Sequence, residues 1–322
     1  MAIEKEKLID MYRMMVRIRA FEDKLAADFG AGKIPGFVHL SQGQEANGTG
    51  VCANLRREDI ITSTHRAHGH VVAKGGNDYS LAPMMAEIYG KSTGVNKGKA
   101  GSQHLSDLDI GVLVAEGIQG TALTMGVGAA LSLKMKDTDN VAVAFIGDGT
   151  LNTGRFHEGM NMASAWKLPL ICYCENNVFA ESTNIYDSTN LNNITDRAAA
   201  FNIPGIAVDG NDVLAVYEVA AEAVARARKG DGPTFIEGKT CRQRGHFEGD
   251  ADLYRTDTDR DECRKKDPIV RFRKKLVEMG AVTEADADKI NAEVQQEIDE
   301  AEKFALDSPV PDIKEVLTDV FA

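Results

Sequence analysis

The sequence predicts an α/β protein with a doubly wound, mostly parallel sheet, and three observations carry this prediction. Two runs of apolar and β-branched residues, 141–146 and 168–174, have the length of buried strands. The segment between them, from about 156 to 167, has a helical pattern. This order is that of a βαβ unit, whose two strands are parallel and covered on both faces.

Further elements extend the unit on both sides. The chain begins with an amphipathic pattern, because charged residues recur every few positions around an apolar stripe. The other predicted elements are a strand at 205–209, a helix at 213–229, a strand at 233–237, a long Arg-, Gly- and Asp-rich loop at 239–258, and a helical tail at about 268–322. We expect residues 1–322 to form a single domain.

The tail contains two recognisable helix starts. Asp267 precedes Pro268, which is a favoured residue at the first helical position. Thr283 stands three residues before Asp286, as in a capping box. One face of the second helix is apolar and consists of Ile290, Val294, Ile298, Ala301 and Ala305. Periodicity leaves open whether this face packs on its own domain or on a second subunit.

Composition excludes several classes of protein. The 322 residues include 37 Lys and Arg against 49 Asp and Glu, giving a formal net charge of −12, which argues against a nucleic-acid partner. The N-terminus lacks the apolar block of a secretory signal. The most apolar stretch, 113–133, contains Glu116 and several glycines and is a poor membrane span. We therefore expect a cytoplasmic protein without a membrane anchor.

The cysteines agree with that compartment. They are odd in number and form no CxxC pair, so we expect neither a disulfide framework nor a zinc ribbon. Their positions are Cys52, Cys172, Cys174, Cys241 and Cys263.

Polar residues follow the two strands of the βαβ unit. Gly147-Asp148-Gly149-Thr150 comes after one strand, and Asn176-Asn177 after the next. If the strands are adjacent, a carboxylate and a carboxamide meet at one sheet edge, with oxygens suited to Mg²⁺ and a glycine that lets a phosphate approach. Each half alone is better interpreted as a tight turn or a strand end, but the spacing of the pair fits a diphosphate bridged by Mg²⁺.

Two competing sites are disfavoured by the sequence. The closest approach to a dinucleotide fingerprint, Gly126-Val-Gly128, lacks the third glycine, so no nicotinamide site is predicted. The histidines at 65, 68 and 70 lie on a glycine-containing loop, where their spacing fixes no metal geometry. We interpret His104 and His157 as structural.

The Gly-Asp-Gly and Asn pair resembles the thiamine diphosphate motif, and the resemblance covers residues 5 to 310. The blocks 34–46, 64–70, 98–104, 117–120, 161–169, 175–177 and 244–246 are, in order, similar to the alpha subunit of the 2-oxo acid and acetoin dehydrogenases, the first component of a multienzyme complex. The resemblance implies the thiamine diphosphate-binding fold. It also implies thiamine diphosphate and Mg²⁺ as cofactors.

The resemblance assigns roles to individual residues. His39 and His246 match the two active-site histidines that this subunit contributes, and neutral imidazole can pass a proton near neutral pH. The implied metal ligands are Asp148, Asn177 and Phe179. The implied cofactor-binding residues are His65, Arg66, Gly117, Gln119, Gly147, Asp148, Gly149, Thr150, Asn177, Arg242 and His246.

The chain departs from the family pattern at several positions. His65 stands in the place of an aromatic residue that is usually Tyr, and Gln119 in that of an apolar residue beneath the cofactor. We expect Ile118 to supply that apolar support. Phe247 replaces the serine that is phosphorylated in animal pyruvate dehydrogenases. The run 245–250 is most similar to the acetoin-type members.

The resemblance implies a function for the whole chain. It predicts an α2β2 heterotetramer that cleaves acetoin and transfers a hydroxyethyl or acetyl unit to the lipoyl group of an acyltransferase. The alternative substrate is pyruvate or a branched-chain 2-oxo acid. Two other classes stay open: a self-sufficient thiamine diphosphate enzyme, with Glu45 or Glu116 as activating acid, and a silent subunit, which the intact Asp148, Asn177 and histidines disfavour.

Overall fold

A computed structural model describes residues 3–320, and its centre is a six-stranded sheet in which every pairing is parallel. The strands are β1 (Ile60–Thr64), β2 (Val112–Glu116), β3 (Ala142–Gly147), β4 (Leu170–Asn176), β5 (Phe179–Ala180), β6 (Thr183–Asn184), β7 (Gly205–Asp209) and β8 (Thr234–Lys239). The sheet order is β2-β1-β3-β4-β8-β7, and β5 and β6 form a separate antiparallel hairpin. The predicted fold class is confirmed.

Helices cover the sheet on both faces. They are α1 (Lys5–Gly30), α2 (Glu45–Cys52), α3 (His68–Gly75), α4 (Leu81–Ile88), α5 (Thr121–Met135), α6 (Gly154–Ala165), α7 (Ile185–Ser188), α8 (Val213–Arg228), α9 (Asp257–Lys265), α10 (Pro268–Glu278) and α11 (Glu284–Asp307). Short 3-10 turns lie at Leu108–Ile110, Asp148–Asn152, Ile194–Phe201 and Ile313–Leu317. None of the helices described is both apolar and long enough to cross a bilayer.

The predicted βαβ unit is β3, α6 and β4. The two strands are neighbours, and Gly147 at the end of β3 lies opposite Glu175 near the end of β4. A 3-10 turn separates β3 from α6, so the amides that follow Asp148 belong to this turn rather than to the helix. The helix begins one turn later, where the Thr153 hydroxyl accepts a hydrogen bond from the Phe156 amide.

Two strands of the six-stranded sheet, and the β5–β6 hairpin, were not predicted from the sequence. Strand β1 is rich in hydroxyl side chains, but Thr62 and Ser63 are buried because each has a partner: Thr62 donates to the Ala122 carbonyl and Ser63 contacts His70. Strand β2 and helix α5 together make up the apolar stretch at 113–133. Gly120, with φ of +89°, separates them in a conformation that favours glycine.

The tail packs on its own chain. Helix α11 lies against α4 and α1, and its predicted apolar face is buried. Both predicted caps are present, at Asp267 and Thr283. Arg17 of α1 is 1% exposed and joins α1 to α11, because its guanidinium donates to Glu297 at 2.6 and 2.9 Å. It also donates to the carbonyls of Gly76 and Tyr79.

One disulfide corrects the cysteine prediction. Cys241 and Cys263 are bridged, with their Cα atoms 5.6 Å apart. Sequence spacing could not show this pair, because the loop after β8 folds back so that its first residues contact α9. The other cysteines, Cys52, Cys172 and Cys174, are buried and unbridged.

Arg17 provides a test of how the tail is held. Arg17→Ala should lower the free energy of unfolding by about 3 kcal/mol, because it leaves one carboxylate and two carbonyls without their buried donor. Arg13 on the same helix is a matched control, since its ion pair with Glu293 is largely exposed; Arg13→Ala should cost less than about 1 kcal/mol. Urea unfolding measures both, and equal losses would contradict this role of Arg17.

Candidate active site

A cavity of about 350 Å³ opens at the carboxyl edge of the sheet, beyond β1, β3 and β4. Its wall consists of His39, Gln44, Thr64, His65, Arg66, Gln103, Gly117, Gln119, Gly147, Asp148, Gly149, Glu175, Asn177, Phe179, Ala180, Glu181, Arg242 and His246. Of the residues that the resemblance assigns to catalysis, cofactor or metal, all except Thr150 lie on this wall. The topology therefore brings together residues separated by up to 207 positions, from His39 to His246.

Asp148 is the most unusual acid on the wall. It is 2% exposed, and its Oδ2 atom is buried without a hydrogen-bond partner. Burial raises the pKa of this carboxyl to about 6, although a backbone hydrogen bond and the nearby arginines lower it. A buried carboxylate oxygen with no protein partner is a suitable ligand for a divalent cation.

The turn after β4 brings the other two predicted metal ligands to the same wall. Asn177 donates from Nδ2 to Gln44 at 3.0 Å, and its Oδ1 accepts the Phe179 amide at 3.3 Å. Val178 between them has φ of +77°, a strained value for a β-branched residue. The Phe179 carbonyl accepts a hydrogen bond from Arg242 at 3.3 Å and keeps a second lone pair.

Two buried arginines face the cavity. Arg66 donates to the carbonyls of Leu40, at 2.6 Å, and His246, at 2.8 Å, while Arg242 donates to the Tyr254 hydroxyl at 2.9 Å. Burial lowers the pKa of Arg66 to about 9, with Arg242 as the second cause, and burial also lowers the pKa of Arg242. Neither forms an ion pair with a carboxylate in residues 3–320, so both can bind an anion.

Three histidines form one contiguous surface beside the arginines. The ring centroid of His39 lies 4.6 Å from that of His65 and 5.1 Å from that of His246, and the last two are 5.3 Å apart. Burial, and then the charge of Arg66, lowers the pKa values to about 3 for His39, 2 for His65 and 4 for His246. All three imidazoles are therefore neutral at pH 7.

Gln119 connects this histidine cluster to the turn after β3. Its Nε2 donates to His65 Nδ1 at 3.0 Å, and its Oε1 accepts the Thr150 hydroxyl at 3.0 Å. Thr150 is thus turned toward Gln119 rather than toward the cavity. Ile118, which we expect to support the cofactor from below, is 59% exposed and is not part of the cavity wall.

Comparison with known proteins decides the family. The model of the family described as "Dehydrogenase E1 component" matches residues 13–314. The chain belongs to the dehydrogenase E1 component family. Membership implies the use of thiamine diphosphate and identifies the chain as the alpha subunit of an oxidoreductase that works with a beta subunit.

Individual relatives match the chain nearly end to end. The alpha subunit of acetoin:2,6-dichlorophenolindophenol oxidoreductase from Bacillus subtilis is 49% identical, covering 100% of this chain and 95% of the relative. The subunit of the same name from Cupriavidus necator is 45% identical, covering 99% and 95%. The chloroplastic pyruvate dehydrogenase E1 component subunit alpha-3 of Arabidopsis thaliana is 40% identical, covering 99% and 76%.

The histidine-bearing loop of this E1 chain is held by its own side chains. Asp250 accepts hydrogen bonds from the His246 amide at 2.6 Å and from the Tyr254 hydroxyl at 2.7 Å. Phe247 packs edge-on against Phe37, with ring centroids 5.8 Å apart. These contacts place His246 over the cavity, and the loop boundaries agree with the predicted stretch at 239–258.

The other sequence candidates lie away from the cavity. Glu45 is buried and accepts hydrogen bonds from Arg19 and from the Gly43 amide. Glu116 lies 3.9 Å from His104, and neither of these two residues is part of the cavity wall. His68 contacts Glu22 and is not part of the wall. The self-sufficient enzyme considered from the sequence therefore loses both of its candidate acids.

Sequence reasoning gave no role to five polar wall residues: Gln44, Thr64, Gln103, Glu175 and Glu181. Gln44 fixes Asn177, and Glu175 lies 3.3 Å from His70. The position of Glu175, directly before Asn176 at the end of a buried strand, was the available signal. Gln44 lies in the block at 34–46, where no spacing distinguishes it from its neighbours.

Acid should destabilise this chain through His65. The pKa of His65 is about 2 when folded and about 6.5 when unfolded, so within that window only the unfolded chain takes up the proton. Its contribution to stability is complete above pH 6.5 and decreases as the pH falls. His65→Gln should reduce the pH slope of the unfolding free energy by about 1.4 kcal/mol per unit between pH 6 and pH 4. Urea unfolding across this range measures both slopes, and identical slopes would contradict the buried neutral state.

Proposed function

We propose that this chain, together with a beta subunit, cleaves acetoin with thiamine diphosphate and Mg²⁺ and passes a two-carbon acetyl unit to the lipoyl group of an acyltransferase. The observation that carries the proposal is a carboxylate oxygen of Asp148 and two buried arginines that have, among residues 3–320, no hydrogen-bond partner and no acidic partner, respectively. The substrate choice is supported by the two relatives at 49% and 45% identity, which are named for acetoin.

Mg²⁺ would be held by Asp148, Asn177 and the Phe179 carbonyl. These are hard oxygen ligands, and the buried Asp148 Oδ2 lacks any other partner. Arg66 and Arg242 would bind the diphosphate, since a phosphate oxygen offers the anionic acceptor that neither arginine has in the part of the chain that the structure describes. Gly149 is required beside them, because a Cβ there would lie 2.7 Å from the Ala180 Cβ.

His39 and His246 would handle protons at the reacting carbonyl. When bound, the cofactor supplies a nucleophilic thiazolium carbon and an electron sink. His246 Nδ1 lies 3.4 Å from an Arg66 nitrogen that can only donate, so its proton resides on Nε2. His39 has a buried Nδ1 without a partner. Both neutral rings can donate to a developing alkoxide and accept the proton back.

The active site is incomplete within one chain. The acids on the cavity wall are Asp148, Glu175 and Glu181; Glu175 is paired with His70, and Glu181 is exposed at the rim. We infer that the activating acid comes from the beta subunit and that an α2β2 heterotetramer holds two cofactors at its α/β interfaces. We further propose a cytoplasmic location and one domain spanning 1–322, including the tail from 268.

Pyruvate is the second candidate substrate, because a pyruvate dehydrogenase alpha subunit is 40% identical over 99% of this chain. Both reactions use the same protein groups, and they differ in whether the bond broken releases acetaldehyde or CO₂. A branched-chain 2-oxo acid needs a wider pocket than either. The relatives named for acetoin make acetoin the favoured substrate.

Asp148→Asn tests the metal site. With the beta subunit present, it should weaken Mg²⁺-dependent thiamine diphosphate binding at least about a hundredfold, because an amide oxygen replaces the charged ligand. Asp209→Asn is the control, since Asp209 ends the edge strand β7 and pairs with Arg271 away from the cavity. Isothermal titration measures both variants, and unchanged affinity in Asp148→Asn would contradict the proposed site.

Substrate preference has its own test. The reconstituted α/β protein should reduce 2,6-dichlorophenolindophenol with acetoin at a kcat/KM at least about tenfold above that with pyruvate or a branched-chain 2-oxo acid. A preference for pyruvate would replace the proposed substrate with the second candidate. Turnover by this chain alone would refute the proposed dependence on a beta subunit.

A further inference from the structure

We infer that His65 is a substrate-specificity residue, held by Gln119 and Thr150 in the one tautomer that donates a hydrogen bond from Nε2 to a neutral oxygen of a hydroxy ketone. The inference rests on the proposed function and adds to it the group that recognises the substrate. It concerns a residue that the resemblance assigns only to the cofactor.

The tautomer follows from the order of donors and acceptors. The Thr150 hydroxyl donates to Gln119 Oε1, which leaves the amide nitrogen of Gln119 facing His65. An amide nitrogen has only donors, so His65 Nδ1 must be the acceptor and carries no proton. A neutral imidazole whose Nδ1 is unprotonated carries its proton on Nε2.

The Nε2 atom of His65 is buried without a hydrogen-bond partner. A buried donor left unpaired is less stable than a paired one, so an oxygen bound at this point is stabilised by the new hydrogen bond. The ring contacts His39 and His246, the two residues that would handle protons at the reacting carbonyl. The donor of His65 therefore belongs to the same histidine cluster as those two rings.

The chemistry of the donor favours an uncharged substrate. His65 stays neutral because of its burial and the adjacent Arg66, and so it offers a hydrogen bond without a positive charge. Both cavity arginines are committed to the diphosphate in the proposed complex. A hydroxyl or carbonyl oxygen satisfies the donor fully, whereas the carboxylate of a 2-oxo acid would remain without a counter-charge there.

A metal ion is the competing interpretation of the same cluster. The ring nitrogens of His39, His65 and His246 all lie within 4.8 Å of one another, as ligands of a metal would. However, the Gln119 amide already occupies Nδ1 of His65, and an Arg66 nitrogen lies 3.4 Å from Nδ1 of His246. These contacts favour hydrogen bonding over metal binding at the cluster.

Two departures from the family pattern meet in this unit. His65 and Gln119 are the positions at which the sequence differs from the usual aromatic and apolar residues, and the structure shows them 3.0 Å apart. The histidine needs the glutamine to fix its tautomer, and the buried amide needs the histidine and Thr150 as partners. Changing either residue should therefore affect the same property, the kcat/KM for acetoin.

The test uses the reconstituted α/β protein, saturated with Mg²⁺ and thiamine diphosphate, with acetoin and pyruvate as parallel substrates. His65→Phe keeps an aromatic ring but removes the donor, and it should lower kcat/KM for acetoin about tenfold and for pyruvate less than about threefold. His65→Gln retains a donor, and its kcat/KM for acetoin should stay within about threefold of the wild-type value. His157→Phe, at an exposed position outside the cavity, is the control.

Gln119→Glu tests the tautomer separately. A carboxylate in this position accepts from Nδ1, which moves the imidazole proton off Nε2 and turns the donor into an acceptor. We expect an acetoin-specific loss of about tenfold, and no additional loss when Gln119→Glu is combined with His65→Phe. An unaffected Gln119→Glu variant would overturn the tautomer assignment and with it the inference.

The remaining outcomes separate the two proposals. Equal losses with both substrates, or a changed thiamine diphosphate Kd alone, would overturn the inference and leave His65 as part of the cofactor site. In either case an active wild-type complex still supports the proposed function. A wild-type complex that neither binds the cofactor nor turns over acetoin would refute the proposed function itself.

Discussion

The parallel pairing of β3 with β4 is the constraint on which the rest of the site depends. It places Gly147 opposite Glu175, so that the residues after both strands leave the sheet at one edge. Asp148 and Asn177 are 29 positions apart in the chain, yet they line one cavity for this reason. The neighbouring strand β1 adds Arg66 by the same rule, because it also ends at that edge.

The cavity is electrostatically prepared for a charged cofactor. The histidine pKa values are lowered and that of Asp148 is raised, in each case mainly by burial, while the two arginines keep their positive charge without acidic partners. Folding such a cavity costs free energy that a bound diphosphate and cation recover. The surrounding contacts hold it in place: Asp250 fixes the His246 loop, and a disulfide joins Cys241 to α9.

Local patterns predicted a large part of this structure. The βαβ unit, β7, β8, the first helix and both tail helices were visible because each shows a clear period or cap. The interior of β1 was not visible, since its hydroxyl groups are satisfied by partners distant in sequence. The disulfide and the exposure of Ile118 depend on how loops fold back, which spacing does not encode.

Most of the residues that line the cavity wall with a proposed role were also named from the sequence. Twelve of the thirteen residues named from the sequence line the cavity, and the exception, Thr150, supports one of them. The Gly-Asp-Gly and Asn spacing pointed to Asp148 and Asn177, whereas Phe179, the arginines and the histidines needed the family resemblance. The hydrogen bond between His65 and Gln119 could not be predicted from the sequence. It joins the residue after β1 to a residue just before α5, and such a contact leaves no pattern in the sequence.

The most direct measurement is a crystal structure of the reconstituted α/β protein with Mg²⁺ and thiamine diphosphate. The account predicts Asp148 Oδ2 at about 2.0–2.1 Å from the metal, with the diphosphate between Arg66 and Arg242. A metal held by the three histidines instead, or a diphosphate that does not contact Arg66 or Arg242, would contradict it.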